Sequence, residues 1–79
     1  MASTATCNGW LNWNTWNVAL WLQNDEFIYR HAKRNSNLGY KKWAARYRDE
    51  TGKFQTPDGA DWIGPNVDYD ALDDLIADL

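Results

Sequence analysis

Apolar residues recur at helical spacing in four stretches of the chain, and the first stretch is the most crowded. Asn12 or Asn14 can cap it, since an Asx side chain accepts from the free N–H groups of a first turn, and the helix then runs to about Gln23. On a wheel of about 100° per residue, Trp13, Trp16 and Leu20 share one stripe, the expected core face. Val18, Ala19, Trp21 and Leu22 spread apolar surface over most of the rest, leaving Asn14, Asn17 and Gln23 as polar interruptions. Such a helix is either central in the core or shows a second apolar face to a partner.

Asn24-Asp25-Glu26 is a second start signal, a cap with two carboxylates where the helix dipole favours negative charge. The helix it opens reaches about Arg34, with Phe27, Ile28 and Ala32 as its buried side, and Asn35-Ser36-Asn37 turns the chain. A third helix opens at Ser36 or Asn37 and runs to about Glu50. Its period is the clearest in the chain, with Tyr40, Trp43, Ala44 and Tyr47 on one face and Lys41, Lys42, Arg46 and Arg48 on the opposite arc. Thr51-Gly52 stops it. Pro57-Asp58-Gly59 and Gly64-Pro65 punctuate a connector over 53–66, turns with a short extended piece around Phe54 or Trp62, whose Phe54, Trp62 and Ile63 are expected to clip onto the helices. Asp68 caps a last helix with Leu72, Leu75, Ile76 and Leu79 on one face and Val67 placed to staple onto Leu72. The fold class is therefore all-α: a compact three- to four-helix small domain over 10–79, with a Pro/Gly-containing connector before the last helix. Residues 1–9 are expected to be a flexible N-terminal arm.

Composition sets what must hold such a domain together. At 79 residues there is room for one core, the single Cys7 cannot form an internal disulfide, and no Cys/His set has zinc-site spacing. Six Trp, four Tyr and two Phe supply the burial instead, each ring removing about 150–250 Å² from water when fully covered. The chain opens without a charged-then-apolar leader, and its longest apolar run, Val18 to Leu22, is far too short to span a membrane. A cytoplasmic protein without membrane association is expected. The net charge of −3 conceals a strong asymmetry. All eight Lys and Arg fall between Arg30 and Lys53, opposed there by only Asp49 and Glu50, whereas residues 54–79 carry seven Asp and no cation.

The stretch Gly9-Trp10-Leu11-Asn12-Trp13-Asn14-Thr15-Trp16-Asn17-Val18-Ala19-Leu20-Trp21-Leu22 resembles the opening of a family of small, mostly uncharacterised proteins of bacteriophages, notably cyanophages, and of some bacterial genomes and plasmids. That opening has the form G-W-x-N-[YW]-x-T-W-N-V-A-L-W. Thr56-Pro57-Asp58-Gly59-Ala60-Asp61-Trp62 and the acidic last helix are similar to the family's C-terminal half. The resemblance implies a phage or mobile-element origin, hence the host cell's cytoplasm, and by analogy a modulator of a host or defence protein. It brings no catalytic residues with it.

Candidate chemistry is sparse. His31 and Cys7 are the only residues of their types, and nucleophilic catalysis needs a base beside the nucleophile, so they read as a helix-surface imidazole and an incidental thiol. The aspartates lack calcium-loop spacing and read as a solvated acidic face, so no metal and no cofactor are expected. The chain is not expected to be an enzyme. Two binding readings remain. In the first, a protein-binding modulator docks on a host protein through rings that so small a domain leaves uncovered, Trp10 and Trp21, together with Arg46, since Trp and Arg dominate binding hot spots. In the second, a small nucleic-acid-binding regulator uses Arg30, Lys33, Arg34, Lys41, Lys42, Arg46 and Arg48 of the basic segment 30–48. The last helix could fold back and neutralise that arc, and the dipolar surface could also support a homodimer.

Overall fold

A computed structural model describes residues 8–79, so Cys7 and most of the expected arm lie outside the described residues. Helices α1 (Trp13–Asn24), α2 (Glu26–Arg34), α3 (Tyr40–Thr51) and α4 (Tyr69–Ala77) are the described helices, with a single 3-10 turn at Ser36–Leu38. The caps of α1, α2 and α4 lie within a residue of where the sequence expects them. The Asn12 side chain accepts from Thr15 N–H, Asp25 from Ile28 N–H and Asp68 from Ala71 N–H. The second of these is one residue later than Asn24, because α1 itself runs through Asn24 and Asp25 is the first residue out of helical backbone. The start of α3 moves further, from Ser36 or Asn37 to Tyr40, since the 3-10 turn and Gly39 intervene.

Gly39, at φ +82, has no side chain to cap α3, and the Asp73 carboxylate of α4 does so from across the domain, accepting from Tyr40 N–H at 2.6 Å. A Cβ on Gly39 would stand 3.4 Å from that carboxylate oxygen. One contact thus ties α4 to α3, satisfies an orphan N–H and sets a negative charge at the positive end of the helix dipole. At the other end Gly52 takes the left-handed conformation at φ 72, its N–H donating to Arg48 C=O.

The core draws on every element. Val18, Ala19 and Leu22 come from α1, Ile28 and Ala32 from α2, Tyr40, Trp43, Ala44 and Tyr47 from α3, Leu72 and Ile76 from α4, and Ala60, Trp62 and Val67 from the connector. Trp62 stands edge-on to Trp43 (centroids 5.6 Å apart) and to Tyr47 (5.2 Å), while the Tyr40 hydroxyl donates to Trp62 C=O. The connector is therefore a layer of the fold, held in an antiparallel bridge between Gln55 and Asp61 around the Thr56-Pro57-Asp58-Gly59 turn.

Three sequence expectations are corrected. The α1 stripe Trp13, Trp16 and Leu20 is not the core face: Trp13 is 47 % exposed and the other two are half-buried, while Thr15, Asn17, Val18, Ala19 and Leu22 are buried. Hydrogen bonds to the connector bury the polar side of the helix. On α2, Phe27 is exposed and His31 is buried, because both imidazole nitrogens find partners, Trp43 Nε1–H donating to Nδ1 at 2.9 Å and Glu50 Oε1 lying 2.7 Å from Nε2. With its Nδ1 lone pair so used, the ring carries its proton on Nε2 and donates it to Glu50. Phe54 does not clip into the core; it is 62 % exposed beneath the Arg48 guanidinium, 4.7 Å from its ring centre.

Thr15 is fully buried, and its hydroxyl donates to Asn66 C=O at 3.2 Å and accepts from Asp68 N–H at 3.1 Å. Thr15→Val keeps the shape, leaves the Asp68 N–H without a partner and removes one of the two donors to Asn66 C=O, so it is expected to destabilise the fold by about 1–3 kcal/mol. The urea midpoint at unchanged slope reads this; an unchanged midpoint would show that water takes the hydroxyl's place.

Candidate binding surface

The polar residues of α1 close a seam against the connector. Asn12 Nδ2 donates to Asn66 C=O at 2.9 Å. The Asn14 carboxamide meets both backbone groups of Asp61, donating to its C=O at 3.0 Å and accepting from its N–H at 2.8 Å. Asn17 accepts from the Thr56 hydroxyl at 2.7 Å and donates to the Asp58 carboxylate at 2.9 Å. Trp21 Nε1–H donates to the same Asp58 oxygen at 3.0 Å. These hydrogen bonds, Asn17 first and Trp21 second, hold the Asp58 carboxyl below its usual range against the opposing effect of desolvation.

The acidic residues are accordingly not a uniformly solvated face. The carboxylates of Asp58, Asp61, Asp68 and Asp73 each accept a hydrogen bond, from Asn17, Gln55, Ala71 N–H and Tyr40 N–H in turn. No group of three or more potential metal-ligating side chains converges among the described residues.

A groove of about 450 Å³ opens where the α1–α2 junction, α3 and the connector meet, lined by Asp25, Phe27, Ile28, Tyr47, Lys53, Gln55 and Pro57. Phe27 forms an exposed wall, its ring 6.5 Å from that of Tyr47 and 6.0 Å from that of His31. Burial, and after it the Asp25 carboxylate, raises the Tyr47 phenol above its usual range, with the Thr51 hydroxyl opposing. Asp25 is engaged at one oxygen as the α2 cap, and Lys53 is exposed and in no ion pair among the described residues.

Of the rings expected to stay uncovered, Trp10 and Trp21 are half-buried and packed against the core, with Trp21 also bound to Asp58. The exposed large apolar side chains among the described residues are Leu11, Trp13, Phe27 and Phe54. The cations divide. Arg30 pairs with Glu26 at 2.6 Å, Lys33 lies over the Tyr29 ring and Lys41 over Tyr69. Arg48 packs on Phe54 with its Nε buried, and Arg46 makes a long contact to Asn35 Oδ1 at 3.4 Å. Lys33, Arg34, Lys41, Lys42, Arg46 and Arg48 form no ion pair with α4 or any other carboxylate among the described residues. The last helix therefore reaches α3 through Asp73 and the Tyr40 N–H, not by neutralising the basic arc. Glu50 lies in the field of Arg46 and Arg34, but its carboxyl is held low chiefly by the hydrogen bond from His31.

A family model matches residues 3–79. The chain belongs to the family of unknown function DUF7249. No curated protein and no solved structure matches it. No described helix of this DUF7249 member is long and apolar enough to cross a membrane.

Sequence patterning does not bring the groove residues together: the helical wheel puts Phe27 in the core, and Lys53 and Gln55 fall in a connector expected to be mainly turns. The usable signal was the alternation Lys53, Phe54, Gln55, Thr56 before a Pro-Asp-Gly turn, the pattern of a half-exposed strand.

The lowered Asp58 pKa gives the seam a pH dependence of definite sign. Its contribution to stability is fully present above the ordinary aspartate range, near about 4, and is lost as pH falls through the depressed folded-state value. Asp58→Asn is expected to flatten that part of the acid limb, read as the urea midpoint against pH. An acid limb parallel to that of the unmodified chain would show that Asp58 does not contribute to it.

Proposed function

We propose that the chain is a small non-catalytic protein-binding modulator, phage-encoded and acting in the host cytoplasm on a host or defence protein. It docks through the groove walled by Phe27. The observation that carries this reading is an aromatic ring 58 % exposed over an open groove with a buried phenol at its base, in a domain that buries Trp43, Trp62 and Tyr40 completely. Covering such a ring supplies affinity where a partner excludes water, and the surrounding charges orient the encounter. Trp10 and Trp21, half-buried against the core, and Arg46 stand outside the groove lining.

A second reading, a small nucleic-acid-binding regulator, draws on Lys33, Arg34, Lys42 and Arg46, none of which forms an ion pair among the described residues, although Glu50 lies in the field of Arg34 and Arg46. Lys41 and Arg48, packed on Tyr69 and Phe54, and Arg30, paired with Glu26, would contribute less to it.

Affinity capture from host lysate, with nuclease and at raised salt, separates the two. The protein-binding reading expects one partner that survives both treatments and is lost with Phe27→Ala, while Lys42→Ala with Arg46→Ala retains it. Recovery of nucleic acid alone, abolished by salt and by the double cation variant, would replace it with the second reading.

A further inference from the structure

The short ladder in the connector has two edges, and only one of them is closed. Trp62 N–H donates to Phe54 C=O at 3.3 Å and Thr56 N–H to Ala60 C=O at 2.8 Å. Gln55 and Asp61 therefore face each other as a pair whose own backbone groups point outward in opposite directions. On the Asp61 side the Asn14 carboxamide takes both groups, as a residue of a neighbouring strand would. On the Gln55 side the equivalent N–H and C=O have no partner among the described residues, and Gln55 is exposed. Alternate residues Lys53, Gln55 and Pro57 line the groove, with Asp25, Phe27, Ile28 and Tyr47 completing it.

We infer that the groove receives an extended segment of a partner polypeptide by strand addition. Its backbone pairs with the Gln55 N–H and C=O, an apolar side chain seats against Phe27, Ile28 and Tyr47, and a carboxylate beside that anchor meets Lys53. This rests on the protein-binding reading and specifies how the partner is held. The open pair calls for a donor and an acceptor set apart as in an amide, which Asn14 supplies on the opposite edge and phosphate oxygens cannot. Charge points the same way. Lys53 is unpaired among the described residues on the groove face, whereas the Asp25 carboxylate already caps α2. Pro57 has no N–H to continue the edge, so the pairing is short and the apolar anchor supplies most of the affinity.

The test selects a displayed library of random linear peptides against the whole protein, synthesises the enriched sequences and follows their binding by amide NMR. Gln55→Pro removes the outward N–H without touching either ladder hydrogen bond, a substitution that edge positions tolerate. Gln55→Ala keeps that N–H and loses only the side-chain bond to Asp61. Enriched peptides are expected to carry an apolar residue beside a carboxylate and to slow exchange of the Gln55 amide. They should bind Gln55→Ala like the unmodified protein and lose about tenfold or more with Gln55→Pro and with Phe27→Ala. Should circular dichroism show Gln55→Pro unfolded, the same loss is expected from N-methylating the pairing residue of the peptide.

Equal binding to the Pro and Ala variants, with loss on Phe27→Ala, overturns strand addition and leaves the protein-binding reading standing. No enrichment, or enriched peptides indifferent to Phe27 and Gln55 alike, overturns the site. A dimer in sedimentation that Gln55→Pro renders monomeric would assign the edge to a second copy of the chain and overturn the partner.

Discussion

The fold depends on one polar seam, the row of side chains from Asn12 to Trp21 on α1 that binds the connector between Thr56 and Asp68. A two-stranded hairpin as short as this one is marginal alone in water, and here its groups reach into a neighbouring helix at almost every step. Thr15 and Asn17 are buried with their partners supplied by the connector, and the Asp61 backbone is satisfied by Asn14. Each such bond contributes only about 0.5–1.5 kcal/mol net, but a buried group left alone costs about 1–3. The seam is therefore favourable when complete and expensive when partial, which fixes the position of the connector instead of letting it slide.

Fixing the connector is what completes the core. Trp62, Ala60 and Val67 arrive on it, and Trp62 joins Trp43 and Tyr47 in a block of rings that extends through Tyr40 on one side and His31 on the other. Trp62 Nε1 is buried without a hydrogen-bond partner among the described residues, a cost that the burial of the ring between Trp43 and Tyr47 must offset. His31 shows the opposite solution, a polar ring admitted to the core because both nitrogens are engaged. In a domain without a disulfide, this aromatic block and the seam divide the work. One supplies burial, the other register.

The parts legible in the sequence are those where local chemistry decides. The α3 face of Tyr40, Trp43, Ala44 and Tyr47 and the Asp68 cap of α4 follow from spacing and side-chain type alone, and the structure places them as read, while the cap of α2 falls on Asp25, one residue past Asn24. The α1 face was not legible, because a helix apolar on most sides has no preferred direction and its true core side carries Thr15 and Asn17. Only the distant connector, 39 to 53 residues away in the chain, makes that side cheap to bury. The same holds for α2, where a wheel favours Phe27 over His31 until Trp43 and Glu50 are brought beside the imidazole. The groove was hidden for a related reason. It arises from the meeting of three segments whose residues carry no common pattern.

The seam also changes what the most distinctive stretches of the sequence can mean. Residues 9–22 and 56–62, which carry the resemblance, meet face to face in it, where Asn14, Asn17 and Trp21 are engaged with Thr56, Asp58 and the Asp61 backbone. A motif used in this way reports how the domain is built, and it would persist in relatives that bind different partners. The residues the seam leaves uncommitted are the exposed Leu11 and Trp13, the wall formed by Phe27, the open edge at Gln55 with Lys53 beside it, and the unpaired cations of α2 and α3. Function within the DUF7249 family is thus better sought in how these positions differ between members than in Asn14, Thr15, Asn17 and Trp21 of the opening, whose side chains are already committed to the fold.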